Sequence, residues 1–164
     1  MNFKGFTLLE VIAAIFILTV GAGAAFALIQ QTLISTSLVE DKFTASYLIQ
    51  EGMEIVKNLR DKAWLENKSW DEYLPVGDWQ ADYDDQALTS CSSPCDYNSS
   101  NLLFLKINGG FYNYDSGTPT KFKRKITISE KTEDKMKISI QVSWLERGKT
   151  YNLKALEYLT NWQK

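Results

Sequence analysis

The chain of 164 residues contains no histidine. Hydrolytic catalysis by a Ser-His pair is therefore excluded, because no histidine can serve as its base. The sequence also lacks a glycine-rich loop that could cradle phosphate groups. Its two cysteines, with no histidine to add to them, are too few ligands for a zinc site. The sequence therefore predicts a protein that is not an enzyme and that needs no cofactor.

Charge is absent from a long stretch near the N-terminus. No charged residue occurs in 11–39, and the first part of this stretch, 11–29, is almost wholly apolar. As a helix rising about 1.5 Å per residue, that part would be about 29 Å long, close to the thickness of a bilayer hydrocarbon core. Glu10 stands at the edge of the run, where a buried carboxylate is costly unless it has a partner. The stretch predicts a membrane helix with one carboxylate that needs a partner.

Several interpretations of this segment compete. An ordinary signal peptide would use Lys4 as its positive region and the alanines of 25–27 as its cleavage site. A plain signal anchor is a second interpretation, and neither gives Glu10 a role. Lys4 precedes the apolar run, whereas Glu40 and Asp41 are the first charges after it. The positive-inside rule therefore predicts a cytoplasmic N-terminus, with the bulk of the chain outside.

A third interpretation rests on residues 5–10, GFTLLE, followed by the apolar run. They resemble the class III signal of type IV prepilins and pseudopilins. The resemblance implies a leader of residues 1–5, cleavage by prepilin peptidase between Gly5 and Phe6, and methylation of the new N-terminus at Phe6. Glu10 would be the fifth mature residue, and in a filament it would pair with the Phe6 amine of a neighbouring subunit. Such pairing would remove two costly charges from an apolar interior at once.

The resemblance also implies partners and a location. The partners would be prepilin peptidase, other pilin subunits, the inner-membrane assembly platform, and membrane lipid before assembly. The product would be a single-pass membrane protein that enters an extracellular or periplasmic filament. Weaker resemblances to minor pilins of the PilV type occur at 48–54, 58–61, 142–146 and 151–162. The alternative is a solitary membrane-anchored extracytoplasmic binding module that does not polymerise. A pilus, a secretion pseudopilus and a DNA-uptake system remain equally open.

Beyond the apolar run, the pattern predicts three further parts of the chain. The transmembrane or filament-core helix of 6–30 continues as an amphipathic helix over 31–63, and a connecting loop region occupies 64–101. An antiparallel sheet follows over 102–164. One side of the amphipathic part should be covered by the sheet, because its apolar residues recur at spacings of three, four and seven: Leu38, Ala45, Leu48, Gly52, Ile55 and Leu59. The sequence thus predicts a type IV pilin-like α+β fold.

The sheet region contains clear strand and turn signals. The sequence at 108–110, Asn-Gly-Gly, predicts a hairpin turn between strands at 102–107 and 111–114. Alternating residues predict further strands at 121–129, 136–144 and 150–160. Short turns between these three strands predict a meander. The face that carries Trp144 should cover the amphipathic half of the helix.

Cys91 and Cys95 are separated by only three residues, in the part of the chain that we expect to be exported. In an oxidising compartment they should form a disulfide. A metal site is the rival interpretation, but two thiolates alone do not complete one.

Two charged patches could serve as binding sites. The aspartates at 82, 84 and 85 offer the hard oxygen ligands that calcium prefers, although no EF-hand spacing is present. We interpret them as a solvated loop, and the sequence leaves calcium binding open. Basic residues at 121, 123, 124 and 125 could contact DNA phosphates, or could simply guard a solvated strand. The net charge of −2 gives no bias toward nucleic acid, so we favour the solvated strand.

Overall fold

The computed structural model describes Gly5 and residues 7–162. The chain divides into two units, Met1–Asp41 and Lys42–Lys164. Helix α1, Leu8–Leu65, supplies residues to both units, and every strand in the described part of the chain belongs to the second. In chain order the strands are β1 Gly77–Gln80, β2 Thr89–Ser90, β3 Lys106–Asn108, β4 Phe111–Asn113, β5 Thr118–Pro119, β6 Phe122–Ser129, β7 Lys135–Glu146 and β8 Lys149–Thr160.

Helix α1 ends in a Schellman motif. Asn67 adopts a left-handed conformation with φ of 54°. Its amide donates to the carbonyl of Trp64 at 3.0 Å, and the Lys68 amide donates to the carbonyl of Ala63 at 2.9 Å. These two bonds satisfy carbonyls that the last helical turn would otherwise leave unpaired. The sequence predicted a helix over 6–63, close to the observed range; Phe6 lies outside the described residues.

Five strands form an antiparallel sheet in the order β2-β1-β6-β7-β8. The predicted meander of β6, β7 and β8 is present. Strands β7 and β8 pair along their full length, from Lys135 opposite Thr160 to Glu146 opposite Lys149. The two residues between them, Arg147 and Gly148, both have positive φ, at 52° and 78°. That conformation is typical of a type I′ turn, whose twist matches that of the strands it joins.

A second, smaller antiparallel sheet has the order β4-β3-β5. The predicted hairpin is present, with Asn108 opposite Phe111 across a turn of two glycines. The strand itself is shorter than predicted, because it begins at Lys106 rather than at residue 102. Leu102 and Leu105 are both buried. Their apolar character reflects packing into the core rather than membership of a strand.

The sequence predicted a connecting loop over 64–101, whereas the structure has two short strands in this segment. The segment contributes β1 and β2 to the main sheet, with Gly77 opposite Ile128 and Trp79 opposite Ile126 of β6. Strand β1 has only four residues and no alternating apolar pattern. Its strand conformation depends on pairing with residues about fifty positions away, so local sequence gave no signal for it.

The core of the second unit lies between the sheet and the part of α1 that belongs to this unit. Buried side chains on α1 include Leu48, Val56 and Leu59, and the predicted inward face of β7 is buried from Met136 to Trp144. Gly52 permits close approach, since a Cβ at this position would lie 3.1 Å from Cδ1 of Ile140. The predicted α+β fold class, with the helix packed on antiparallel sheet, is confirmed.

A buried arginine crosses this core. Arg124 of β6 is fully buried. Its Nη1 pairs with the Glu51 carboxylate at 2.5 Å and donates to the carbonyl of Leu48 at 3.0 Å. Its Nη2 donates to the carbonyl of Ala81 at 2.6 Å, just after β1. One guanidinium therefore joins the helix, strand β6 and the segment that follows β1, and Glu51 neutralises its charge.

We predict that Glu51→Ala will lower the free energy of unfolding by about 3 kcal/mol, because it leaves the Arg124 charge buried without its counter-ion. Glu54 lies on the same helix, with a side chain that is 67% exposed and a distant partner, Lys57, at 3.9 Å. Glu54→Ala is therefore the matched control and should cost less than about 1 kcal/mol. The measurement is chemical unfolding of the full chain in detergent micelles, followed by tryptophan fluorescence. Equal losses for the two variants would contradict this account of the buried pair.

Candidate functional site

The N-terminal motif lies where the helix begins. Gly5 precedes the helix and is exposed, and the predicted cleavage and methylation residue Phe6 lies outside the described residues. Thr7 caps the helix: its Oγ1 accepts a hydrogen bond from the amide of Glu10 at 3.3 Å, and its carbonyl accepts one from the amide of Val11 at 3.2 Å. The first turn of the helix is therefore fixed by a residue within the motif.

The capping role of Thr7 is a functional detail that the sequence interpretation missed. Thr7 and Glu10 are three positions apart, the spacing of the Ser/Thr-x-x-Glu capping box. This spacing could have predicted the helix cap from the sequence. Part of the motif therefore has a purely local task, because it starts the helix immediately after the predicted cleavage point.

Glu10 occupies the first turn of α1 and is exposed. A carboxylate at this position interacts favourably with the positive end of the helix dipole. No residue in the described part of the chain forms an ion pair with it. Within the first unit, therefore, the local structure orients Glu10 on the helix without neutralising it.

The helix beyond Glu10 is apolar on every side. All residues of 8–36 are exposed, including large side chains such as Phe16 at 67% and Leu18 at 71%. The threonine hydroxyl groups of this segment donate to helix carbonyls, as Thr19 does to Phe16 and Thr32 does to Leu28, each at 2.9 Å. These bonds reduce the cost of placing a hydroxyl in lipid. Among the described residues, α1 is the one helix that is long and apolar enough to cross a membrane.

Cys91 and Cys95 form the predicted disulfide, with an S–S distance of 2.05 Å. Both cysteines are buried, and Leu102 packs with them in a small apolar cluster. The amide of Cys91 donates to the carbonyl of Asp78 at 3.0 Å, which fastens the disulfide loop to β1. The disulfide therefore shapes a loop that is already held against the main sheet.

The basic patch differs from both of its interpretations. Arg124 is buried in the core, and Lys123 is only 4% exposed. The Lys123 amino group donates to the carbonyl of Ser99 at 2.8 Å and lies 4.3 Å from the centre of the Phe104 ring. Burial lowers the pKa of Lys123. The alternation of β6 places Arg124 with Phe122 and Ile126 on the inward face, so the strand pattern itself carried the signal.

The other two basic residues are paired at the surface. Lys121 contacts the Glu146 carboxylate at 2.7 Å, and Lys125 contacts that of Asp78 at 3.6 Å. The four positions therefore do not form a continuous basic surface of the kind that binds a phosphate backbone. The structure gives no support to a nucleic-acid site on this strand.

The acidic patch is not fully solvated either. Asp82 is 2% exposed, whereas Asp84 is exposed and Asp85 is half-buried. Across residues 5 and 7–162, no three acidic or cysteine side chains converge closely enough to hold a metal ion. The interpretation as a solvated loop is therefore wrong for Asp82, whose side chain points into the protein.

Residues 1–26 match the family model described as the prokaryotic N-terminal methylation motif. The match supports the type IV prepilin and pseudopilin family, and with it a precursor that prepilin peptidase processes; the PilV subtype stays a prediction. That family is structural rather than enzymatic. The comparisons with curated proteins and with solved structures found no match. The motif and the long apolar helix together fit a membrane-anchored protein.

We predict that replacing Cys91 and Cys95 together by Ser will lower the free energy of unfolding by about 2 kcal/mol, the chain-entropy value for a five-residue loop. Reduction of the wild-type disulfide should produce a loss of the same size and should not change the double variant. Both can be measured by chemical unfolding with and without reductant. If reduction leaves the wild-type stability unchanged, the disulfide contributes nothing to the fold.

Proposed function

We propose that this chain is a minor type IV pilin or pseudopilin, a structural subunit of a pilus-like filament. The observation that carries the proposal is the methylation motif at residues 1–26, which extends into the first part of α1, a segment with exposed apolar side chains on all sides. Prepilin peptidase would cut between Gly5 and Phe6 and leave Phe6 as a methylated N-terminus. The chain would then enter the filament through α1.

The exposed apolar surface of the first unit supports a role that involves assembly. Side chains such as Leu9, at 80%, and Ile17, at 70%, are largely exposed. Lipid can cover them in a membrane, and the helices of other subunits can cover them in a filament, since both remove apolar surface from water. The same helix therefore suits a membrane-anchored precursor and an assembled subunit.

Glu10 distinguishes assembly from simple anchoring. A lone membrane helix does not need a carboxylate at the edge of its apolar run, where burial of the charge is costly. Cleavage before Phe6 would create an ammonium group four residues from Glu10, at the positive end of the helix dipole. A neighbouring subunit displaced along the filament axis can bring its Phe6 amine to Glu10. The pair would neutralise both charges and set the axial register of the subunits.

The second unit would then be the exported part of the subunit. Its Cys91–Cys95 disulfide suits an oxidising compartment. Before assembly, the proposed orientation has the N-terminus in the cytoplasm and the second unit outside. Other pilin subunits and the inner-membrane assembly platform are the partners that this function requires.

We predict that Glu10→Val will still insert into the membrane and still be cleaved, but will be incorporated into filaments poorly. The variant leaves the buried Phe6 amine without its partner, and breaking a buried pair in this way typically costs about 3–5 kcal/mol. The measurement is the amount of subunit in sheared filaments relative to the membrane fraction. We expect the ratio to fall at least about tenfold, since about 1.4 kcal/mol already corresponds to a factor of ten.

Glu10→Asp is the matched control, because it keeps the negative charge and should retain more incorporation than Glu10→Val. Recovery of Glu10→Val in filaments at the wild-type level would contradict the proposed pairing. Absence of the wild-type chain from the filaments of cells that make them would instead favour a solitary membrane-anchored binding module.

A further inference from the structure

Asp82 is a buried carboxyl with an incomplete set of partners. It lies two residues after the end of β1 and is 2% exposed. Its Oδ2 accepts a hydrogen bond from the amide of Tyr114 at 2.9 Å, just beyond the end of β4. No hydrogen-bond donor in the described part of the chain reaches its Oδ1. A buried oxygen without a donor is costly, and it is more costly when it carries charge.

The Asp82 carboxyl joins the segment after β1 to the end of the β3–β4 hairpin. Gln80, at the end of β1, donates to the carbonyl of Asn101 at 2.8 Å and accepts from the amide of Leu103 at 2.7 Å. Asp82 adds the bond to Tyr114. The end of β1 and the segment after it thus hold both chain ends of the β3–β4 hairpin, and Asp82 provides the contact on the β4 side.

The groups around Asp82 are mostly acidic. Asp84 and Asp85 come from its own loop. The Asp84 carboxylate can accept a hydrogen bond from a protonated Asp82. Oδ2 of Asp85 accepts a hydrogen bond from the Asp82 amide at 2.8 Å. From the segment after β4, Tyr114 and Asp115 line the same cavity. From β6, Arg124 directs its guanidinium to Glu51 and to backbone carbonyls rather than to this carboxyl.

We propose that the Asp82 carboxyl is a proton-sensitive contact that holds the small sheet to the segment after β1 when protonated and weakens when it ionises. When protonated, the carboxyl can donate a hydrogen bond to Asp84, while Oδ2 continues to accept from the Tyr114 amide. Ionisation removes that donor and leaves two neighbouring carboxylates that repel each other, with no ion pair to Asp82 from any residue that the structure describes. The hairpin of β3 and β4 is therefore the part of the fold that we expect to loosen first as pH rises.

The direction of the titration agrees with this geometry. Burial, together with the neighbouring Asp84 and Asp85, raises the pKa of Asp82 to about 6 against the lowering effect of the Tyr114 amide. When the hairpin opens, the carboxyl returns toward its ordinary pKa of 3.8. The contact is thus fully stabilising below the ordinary pKa, and its stabilisation is lost as pH rises through about 6.

The test is amide hydrogen exchange of the full chain in detergent micelles, read at Tyr114 and across the β3–β4 hairpin. Exchange rates are divided by the intrinsic rate at each pH, so that only protection by structure remains. Between about pH 5 and about pH 7.5, linkage between the two pKa values predicts that protection at Tyr114 falls about tenfold. Protection in the β7–β8 pair should change much less.

Asp82→Asn keeps an acceptor for the Tyr114 amide but cannot ionise, so protection of the hairpin should become independent of pH. Glu72→Gln is the control, because it removes an exposed carboxylate from the same connecting segment and should keep the wild-type dependence. The proposal is overturned if wild-type protection is equal at both pH values, or if Asp82→Asn keeps the wild-type pH dependence. It is also overturned if millimolar calcium restores protection at about pH 7.5 in the wild type alone, since a cation would then occupy the site.

Discussion

The described part of the first unit has an exposed apolar surface, and the proposed function depends on this constraint. A soluble protein buries such a surface in its core, where each square ångström removed from water contributes about 25 cal/mol. Here the side chains of 8–36 are all exposed. The helix therefore needs lipid or other protein around it. An anchor and a filament subunit both meet this need, and they differ in what they require of the single carboxylate, Glu10.

The second unit meets its own constraint within the chain. Its part of α1 buries one side against the sheet, and Gly52 allows the helix to approach β7 closely. The fully buried Arg124 adds a polar requirement to this core, and Glu51 and two backbone carbonyls pair with its two terminal nitrogens. A buried charge of this kind tolerates few alternative arrangements of its neighbours, because each would leave it unpaired. Arg124 thus fixes the segment after β1 relative to the helix and β6.

Strong local signals in the sequence predicted much of this structure correctly. Two adjacent glycines gave the β3–β4 turn, and the long alternation of β7 gave both its strand and its buried face. Strand β1 was missed because its conformation comes from pairing with β6, which no local pattern encodes. Arg124 was misassigned because its charge was weighed above its position, although the alternation of β6 placed it inward.

The residues of interest for function show the same division between local and long-range interactions. The sequence was sufficient to single out Glu10, because one carboxylate beside a long uncharged run is conspicuous. Thr7 could have been recognised from its spacing to Glu10, since the cap is a local interaction. Asp82 could not, because its burial depends on Tyr114, which is 32 residues away. Interactions within one helical turn could thus be predicted from the sequence, whereas those between distant segments could be identified only in the folded structure.

The central claim is that the N-terminus is a processed assembly signal, and the mass of the mature N-terminal peptide tests it most directly. The chain is extracted from membranes of cells that contain prepilin peptidase and is compared with the chain from cells that lack it. The account predicts a mature chain that begins at Phe6 with a methylated amine, and an intact N-terminus from Met1 in the absence of the peptidase. A chain that begins at Leu28 in both, after cleavage behind the alanines of 25–27, would contradict it.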